Sequence, residues 1–339
     1  MIDNLEHKRI LFLCTEFYFY YKIIIEEFER MGAKVRFVMI PRFSESPRNL
    51  LHSKSYFFFY HYLRNPQYRT KWTNSLISEI KDEKYDILFC LGDVPFKPFF
   101  LKWFKNNNLY SQTYLFLWDK LSIVYVPPRI ISLFDFKFSF DRDDCSKVKG
   151  LQYLPDFYLH TENARNQNKI YDICAIATYT KDRGYIALEL KKFCDEHMLS
   201  AFIYLLKPVR KKSRIERLLN LHVSDSFLET YGHESFLKEN RLSADEVDII
   251  QNQSHCLFDF SYKGRQGLTL NGIAAIAQGK KLITSNYRIK EESFYNSNNI
   301  YIYDYENPKF DVDFINTPVV PLNMNYLRLD NWLRYILCR

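Results

Sequence analysis

Short apolar runs alternate with amphipathic stretches along nearly the whole chain, and that alternation leaves few folds open. RILFLC (9–14) is apolar at almost every position, as a parallel strand covered on both faces must be. Residues 20–31 follow as a helix with apolar positions at Ile23, Ile24, Ile25 and Phe28, and Gly32 ends it as a C-cap. KVRFVMI (34–40) reads as a strand, 72–81 as a helix, YDILFCLG (85–92) as a strand, 98–106 as a helix and TYLFLWD (113–119) as a strand. FKFSFD (136–141) and LQYLP (151–155) close this series. The order β-α-β-α-β-α-β-β describes an open, doubly wound sheet.

A second series begins after HTENARNQNK (160–169), a linker whose only apolar side chain is one alanine. It runs through YDICAIAT (171–178), a helix over 185–197, SAFIYLL (200–206), a helix over 243–251, CLFDF (256–260), the helical LTLNGIAAIAQ, KLITS (281–285) and NIYIYD (299–304). The expected class is α/β, with Rossmann-like domains over 1–159 and 170–325 and a C-terminal helix in 326–339 packing back on the first. Two such domains in tandem are expected to face each other across a cleft. Ligands of such sheets bind beyond the carboxyl ends of the strands.

Composition removes several function classes. The 339 residues are 47% hydrophobic and 17% aromatic, so the chain can bury a large core. The net charge of +7 is modest and the acidic residues are spread throughout, unlike the dense basic face of a nucleic-acid binder. Lys and Arg do gather in KPVRKKSRIER (207–217) and over 52–71. These read as solvated faces, or as attraction to the phosphate of a nucleotide or of an anionic membrane surface. The seven cysteines form no CxxC pair, which fits free thiols and argues against a disulfide framework or a zinc site. The start, MIDNLEHKRILFLC, is polar and acidic, a strand and not a signal peptide. No run approaches the roughly 18 uncharged apolar residues of a spanning helix. A cytoplasmic location is expected.

Four of the nine glycines fall within sixteen residues: Gly264, Gly267, Gly272 and Gly279. They lie between CLFDF and KLITS, so strand, glycine turn, helix and strand make one βαβ unit. A helix starting just after Gly267 points unpaired N–H groups and its positive dipole end at whatever fills the turn, which suits a phosphate. Gln266, Gly267, Leu268 and Thr269 would offer backbone amides and one hydroxyl. The turn is neither a Walker loop nor a GxGxxG fingerprint, and a tight turn needing glycine for its backbone angles is the alternative. Gly279 reads as a C-cap.

Thr178 and Arg183 follow the first strand of the second series, and Lys207 follows its neighbour. Two cations there would offset charge building on a leaving diphosphate. Asp93, Asp119 and Asp141 each end a strand in the first half. Such a carboxylate is either a general base or a helix cap; Glu16, in the first βα loop, is open to the same two readings. Asp141-Arg-Asp143 and Asp311-Val-Asp313 match the short DxD pattern, too common by chance to argue for a divalent metal. The eight histidines are scattered, so no metal or other cofactor is expected. KPFFLKWFKNNN (97–108) reads as a packed core helix in preference to a membrane-surface helix.

Three groups of residues carry a family resemblance: YLFLWDKL (114–121); FSFDRDD (138–144) with YLPDFY (153–158); and RQGLTLNGIAAIAQGKKLITSN (265–286) with SFYNSNNIYIYD (293–304). With the tandem αβ domains, they make the chain resemble GT-B glycosyltransferases, above all those of bacterial lipopolysaccharide and capsule assembly. The resemblance implies a nucleotide-sugar donor held by the second domain and a glycan or lipid-linked acceptor held by the first. It implies no bound metal, because helix amides and cations stabilise the departing nucleoside diphosphate. It places the enzyme at the inner face of the cytoplasmic membrane, with peripheral contact and no nucleic-acid partner. One departure stands out. Relatives carry an Arg and a ribose-holding Glu early in the helix after the glycine turn; here those positions are Asn271 and Ala274. The alternative is therefore a relative that binds a nucleotide sugar or glycan without turnover. The expected donor-binding residues are Thr178, Arg183, Lys207, Gln266, Gly267, Leu268 and Thr269. Asp119 is the first choice of catalytic base, followed by Glu16 and Asp141.

Overall fold

A computed structural model describes residues 5–15, 20–40, 66–122, 126, 128–159, 168–207, 225–261 and 267–338. The chain divides into two compact units. The first is Met1–Asp156 with Leu327–Arg339, and the second is Phe157–Tyr326.

In the first unit the elements are β1 (Arg9–Thr15), α1 (Tyr20–Arg30), β2 (Lys34–Ile40), α2 (Pro66–Ile80), β3 (Ile87–Leu91), α3 (Phe99–Asn107), β4 (Gln112–Leu117), α4 (Pro128–Ile131), β5 (Phe136–Ser139), α5 (Arg142–Lys147) and β6 (Gln152–Tyr153). Their sheet runs β2-β1-β3-β4-β5-β6, parallel at every pairing. Residues 10–14 of β1 and 87–91 of β3 are fully buried, which explains their unbroken apolar sequence. Gly92 ends β3 at φ 93° and donates its N–H to the Phe116 carbonyl at 2.8 Å. That backbone conformation favours glycine, and an added Cβ would meet the Thr15 hydroxyl at 3.3 Å. The aromatic, basic stretch near residue 100 forms α3, which turns Phe100, Leu101 and Phe104 into the core. Each such burial contributes about 1.5–3 kcal/mol.

The second unit holds β7 (Tyr171–Thr178), α6 (Lys181–Glu196), β8 (Ala201–Leu206), α7 (Ser226–Tyr231), β9 (Leu237–Lys238), α8 (Ala244–Asn252), β10 (Ser254–Asp259), α9 (Leu270–Ala277), β11 (Lys281–Thr284), β12 (Ile300–Ile302) and α10 (Val312–Asn316). Its sheet runs β12-β11-β10-β7-β8-β9, again all parallel. Both units are α/β and Rossmann-like. In each, the chain builds outward from one strand and then returns to that strand's other side. The switch points lie between β1 and β3 and between β7 and β10, where ligands of such sheets enter.

The last helix, α11 (Leu329–Leu337), belongs to the first unit. Trp332 is fully buried, edge-on to Phe116 at 4.7 Å. Its indole N–H donates to the Pro155 carbonyl at 2.9 Å, and the Tyr114 hydroxyl donates to the Leu337 carbonyl at 3.1 Å. The sequence reading passes over α4, α5, α7, β9 and α10, each two to six residues long, too short for periodicity to register.

Candidate functional site

The carboxyl edge of the second sheet gathers the polar groups. α6 begins there, its N-cap Thr180 accepting the Arg183 N–H at 3.3 Å. The Arg183 side chain then spans the switch point: Nε donates to the Phe260 carbonyl at 3.1 Å and Nη1 to the Thr178 carbonyl at 2.9 Å. Thr178 is the last residue of β7 and Phe260 directly follows β10. One guanidinium therefore pins the ends of the two strands that flank the opening.

α9 starts at the same edge. Thr269 is its N-cap and accepts the Gly272 N–H at 3.0 Å. The N–H groups of Leu270 and Asn271 are left without an acceptor inside the helix. Gly267 and Leu268 lead into this turn buried. Gly272 is glycine for packing: a Cβ there would lie 2.8 Å from Leu268 and 3.5 Å from Leu282. The Thr269 hydroxyl itself donates to Asp259 Oδ1 at 3.3 Å, so its proton is already committed and the amides are what the turn can offer.

Asp259, the last residue of β10, is the hub of this edge. Besides Thr269 it accepts the hydroxyls of Ser261 and of Thr284, the latter at 3.1 Å. Thr284 ends β11 and accepts the Asn286 N–H at 3.2 Å, while Ser285 donates to the Ser261 carbonyl at 3.2 Å. Tyr303, just beyond β12, is buried; burial chiefly, with the Asp259 charge adding, pushes its phenol up, while Ser285 and Arg183 pull it down. Sequence reasoning passes over Asp259, Thr284 and Tyr303. A signal was present for Thr284 and Tyr303, hydroxylated residues that end apolar runs, whereas Asp259 sits inside CLFDF.

Lys207 directly follows β8. Its N–H donates to the Lys238 carbonyl at 2.7 Å and its ammonium to the Gly232 carbonyl at 3.4 Å. Those contacts hold it toward β9. Gln266 and Glu16 lie outside the described residues, as do 208–217 of the basic segment.

In the first unit, Asp119 is exposed two residues past β4. The next side chain, Lys120, turns inward and lies 3.3 Å from Asp141 Oδ2. Asp141 is fully buried and caps α5, accepting the Asp144 N–H at 3.1 Å. Asp144 in turn accepts the Leu121 N–H at 2.8 Å. Burial pushes the Asp144 carboxyl up and the neighbouring Asp141 charge adds to this, against the pull of the Leu121 N–H and Lys120. Burial likewise pushes the Cys145 thiol up to about 12, with Asp141 and Asp144 adding. The Asp141 and Asp311 carboxylates of the two DxD strings both serve as helix N-caps. Among the described residues no three His, Cys, Asp or Glu side chains gather as a metal site, and no helix is long and apolar enough to cross a membrane.

No protein-family model matches the chain, and no curated protein matches it. Solved structures do. UDP-GlcNAc 2-epimerase from Methanocaldococcus jannaschii is 8% identical over 97% of this chain and 99% of its own, with a TM-score of 0.50. The epimerase from Neisseria meningitidis bound to UDP-GlcNAc is 10% identical over 87% of each chain, TM-score 0.47. E. coli heptosyltransferase WaaC is 10% identical over 97% and 98%, TM-score 0.37. At such identity a likeness speaks only of architecture, and the first of these shows it: the chain has the tandem Rossmann-like units of the GT-B fold.

Proposed function

We propose that the protein is a glycosyltransferase, moving a sugar from a nucleotide donor to a glycan or lipid-linked acceptor in bacterial surface polysaccharide synthesis. The observation that carries this reading is the second sheet's switch point. There Arg183 bridges Thr178 and Phe260 while the open amides at the start of α9 face the same strand ends. The proposal is also supported by the fold, because the M. jannaschii protein of like architecture is an enzyme of UDP-GlcNAc.

In this reading the donor's diphosphate rests on the amides of Gly267 to Asn271. The α9 dipole and the Arg183 guanidinium stabilise the charge that builds as the nucleoside diphosphate leaves. Lys207 adds a longer-range positive field, and no metal is required. Asp119, exposed at the end of β4, takes the acceptor hydroxyl's proton in an inverting transfer. Asp141 and Lys120 set the backbone that presents it.

The test has two stages. Thermal shift with UDP, GDP, CMP and their sugars identifies the base, since a ligand of the folded state raises the melting temperature. Calorimetry then compares the wild type with Arg183→Ala. Donor affinity falls at least about tenfold, or about 1.4 kcal/mol; an unchanged affinity rejects this site.

Ala274 favours a second reading, binding without turnover. Its methyl group, half-buried on α9, accepts no ribose hydrogen bond. Transfer and hydrolysis assays across a panel of nucleotide sugars separate the two, because a binding module shows affinity and no product.

A further inference from the structure

Tyr303 carries a hydroxyl that the fold buries and leaves unmet. The residue is 2% exposed, and its hydroxyl has no hydrogen-bond partner among the described residues. A buried donor without a partner is costly, and in a native structure it calls for a reason. The ring is held where it stands. The Tyr303 N–H donates to the Thr284 carbonyl at 3.0 Å, and the ring reaches across β11 to stack on Phe258 of β10 at 5.1 Å, with Phe310 edge-on at 5.8 Å.

The groups around the phenol all belong to the carboxyl edge of the second sheet. Burial above all keeps it protonated, Asp259 and Tyr305 add to this, and Ser285 and Arg183 oppose it. Asp259 ends β10, Ser285 and Tyr305 follow β11 and β12, and Arg183 lies in the first turn of α6. The carboxylates here are already engaged: Asp259 accepts the hydroxyls of Ser261, Thr269 and Thr284, and Asp182 accepts the Tyr305 hydroxyl at 3.2 Å. Thr180 caps α6 through the Arg183 N–H, which leaves the N–H groups of Lys181 and Asp182 without an acceptor inside that helix. Leu270 and Asn271 are in the same position on α9. Two helix amino termini, each favourable to an anion, thus follow the two strands of the switch point, β7 and β10.

We propose that Tyr303 is a ligand-binding residue that selects a nucleoside diphosphate over a nucleoside monophosphate: the α9 amides hold one phosphate, and the Tyr303 hydroxyl with the amino end of α6 holds the other. A protonated phenol donates to a phosphate oxygen in a charge-assisted hydrogen bond, and the cost of leaving it unmet is recovered when the ligand arrives. This role rests on the donor site proposed above and adds to it the residue that reads the second phosphate.

The test is calorimetry of the whole protein with UDP, GDP and ADP and with UMP, GMP and AMP, on the wild type, Tyr303→Phe and Arg183→Ala, beside the melting temperatures of the unliganded proteins. Tyr303→Phe weakens the nucleoside diphosphate that binds the wild type by at least about tenfold, and the matching monophosphate by less than about twofold. Its melting temperature holds or rises, because the variant removes an unmet hydroxyl and keeps the ring. A lowered melting temperature makes the hydroxyl structural and overturns the proposal. So does a diphosphate affinity unchanged by Tyr303→Phe but lost with Arg183→Ala, or an equal loss for both nucleotide classes. A wild type that binds none of these nucleotides, or an affinity indifferent to Arg183→Ala, overturns the donor site itself and this role with it.

Discussion

The Asp259 carboxylate accepts a hydrogen bond from the Thr269 hydroxyl at 3.3 Å, while the same hydroxyl accepts the Gly272 N–H at 3.0 Å. One oxygen thus joins the end of β10 to the first turn of α9. A carboxylate beside a helix amino terminus is favoured by the dipole, so Asp259 holds in place the amides proposed to meet a phosphate.

Loss of that joint separates cap from charge. Thr269→Ala destabilises the protein by about 1 kcal/mol, the usual worth of an N-cap, and Thr269→Ser restores most of it. Asp259→Asn leaves the cap but replaces an acceptor with a donor amide facing three hydroxyls. Urea unfolding and donor calorimetry, run on all three variants, distinguish stability from binding.

Lys280 makes stability depend on pH. It is buried, donates to the Gln251 carbonyl, and lies beside Lys169, which donates to the Asn252 carbonyl at 2.8 Å. Burial first, then the Lys169 charge, lowers it to about 7 from an ordinary 10.5. Between those two pH values the unfolded chain binds the extra proton, so stability rises with pH across the window. Below about 7 both states are protonated and the penalty is complete. Lys280→Met flattens the rise in melting temperature between pH 7 and pH 10 and raises stability at neutral pH; an unchanged slope rejects the assignment.

Lys120 neutralises a buried carboxylate. Lys120→Met leaves Asp141 without its cation and costs about 3 kcal/mol. The double variant with Asp141→Asn recovers part of that loss, since an uncharged cap remains. Guanidinium unfolding of the single and double variants measures the coupling.

Trp332 ties α11 to the first unit. Trp332→Ala leaves a cavity against Phe116 and an unpaired Pro155 carbonyl, at a cost of about 3–5 kcal/mol. Trp332→Phe refills most of the volume and isolates the hydrogen bond. A melting temperature unmoved by Trp332→Ala contradicts the packing described.

The strands and long helices were legible because their signal is local. RILFLC, YDILFCLG and YDICAIAT are apolar on both faces, and only a covered parallel strand makes use of that. Gly32 and Gly279 announced helix ends by the same local logic, and both hold positive φ. The glycine cluster likewise marked the start of α9.

Which strand ends become neighbours was not legible. Asp259, Thr284 and Tyr303 are 44 residues apart at their extremes, and no local pattern joins them. Strand order β12-β11-β10-β7 does so, by aligning the carboxyl ends of strands far apart in sequence. The same holds for Lys207, which follows a strand adjacent to β7 but is drawn to the Gly232 carbonyl, and for Asp141, whose burial depends on Lys120 arriving from the end of β4. Periodicity and turn chemistry act over a few residues and settle which elements form. Burial, charge pairing and strand order act between distant segments, so they appear only once the sheets are assembled.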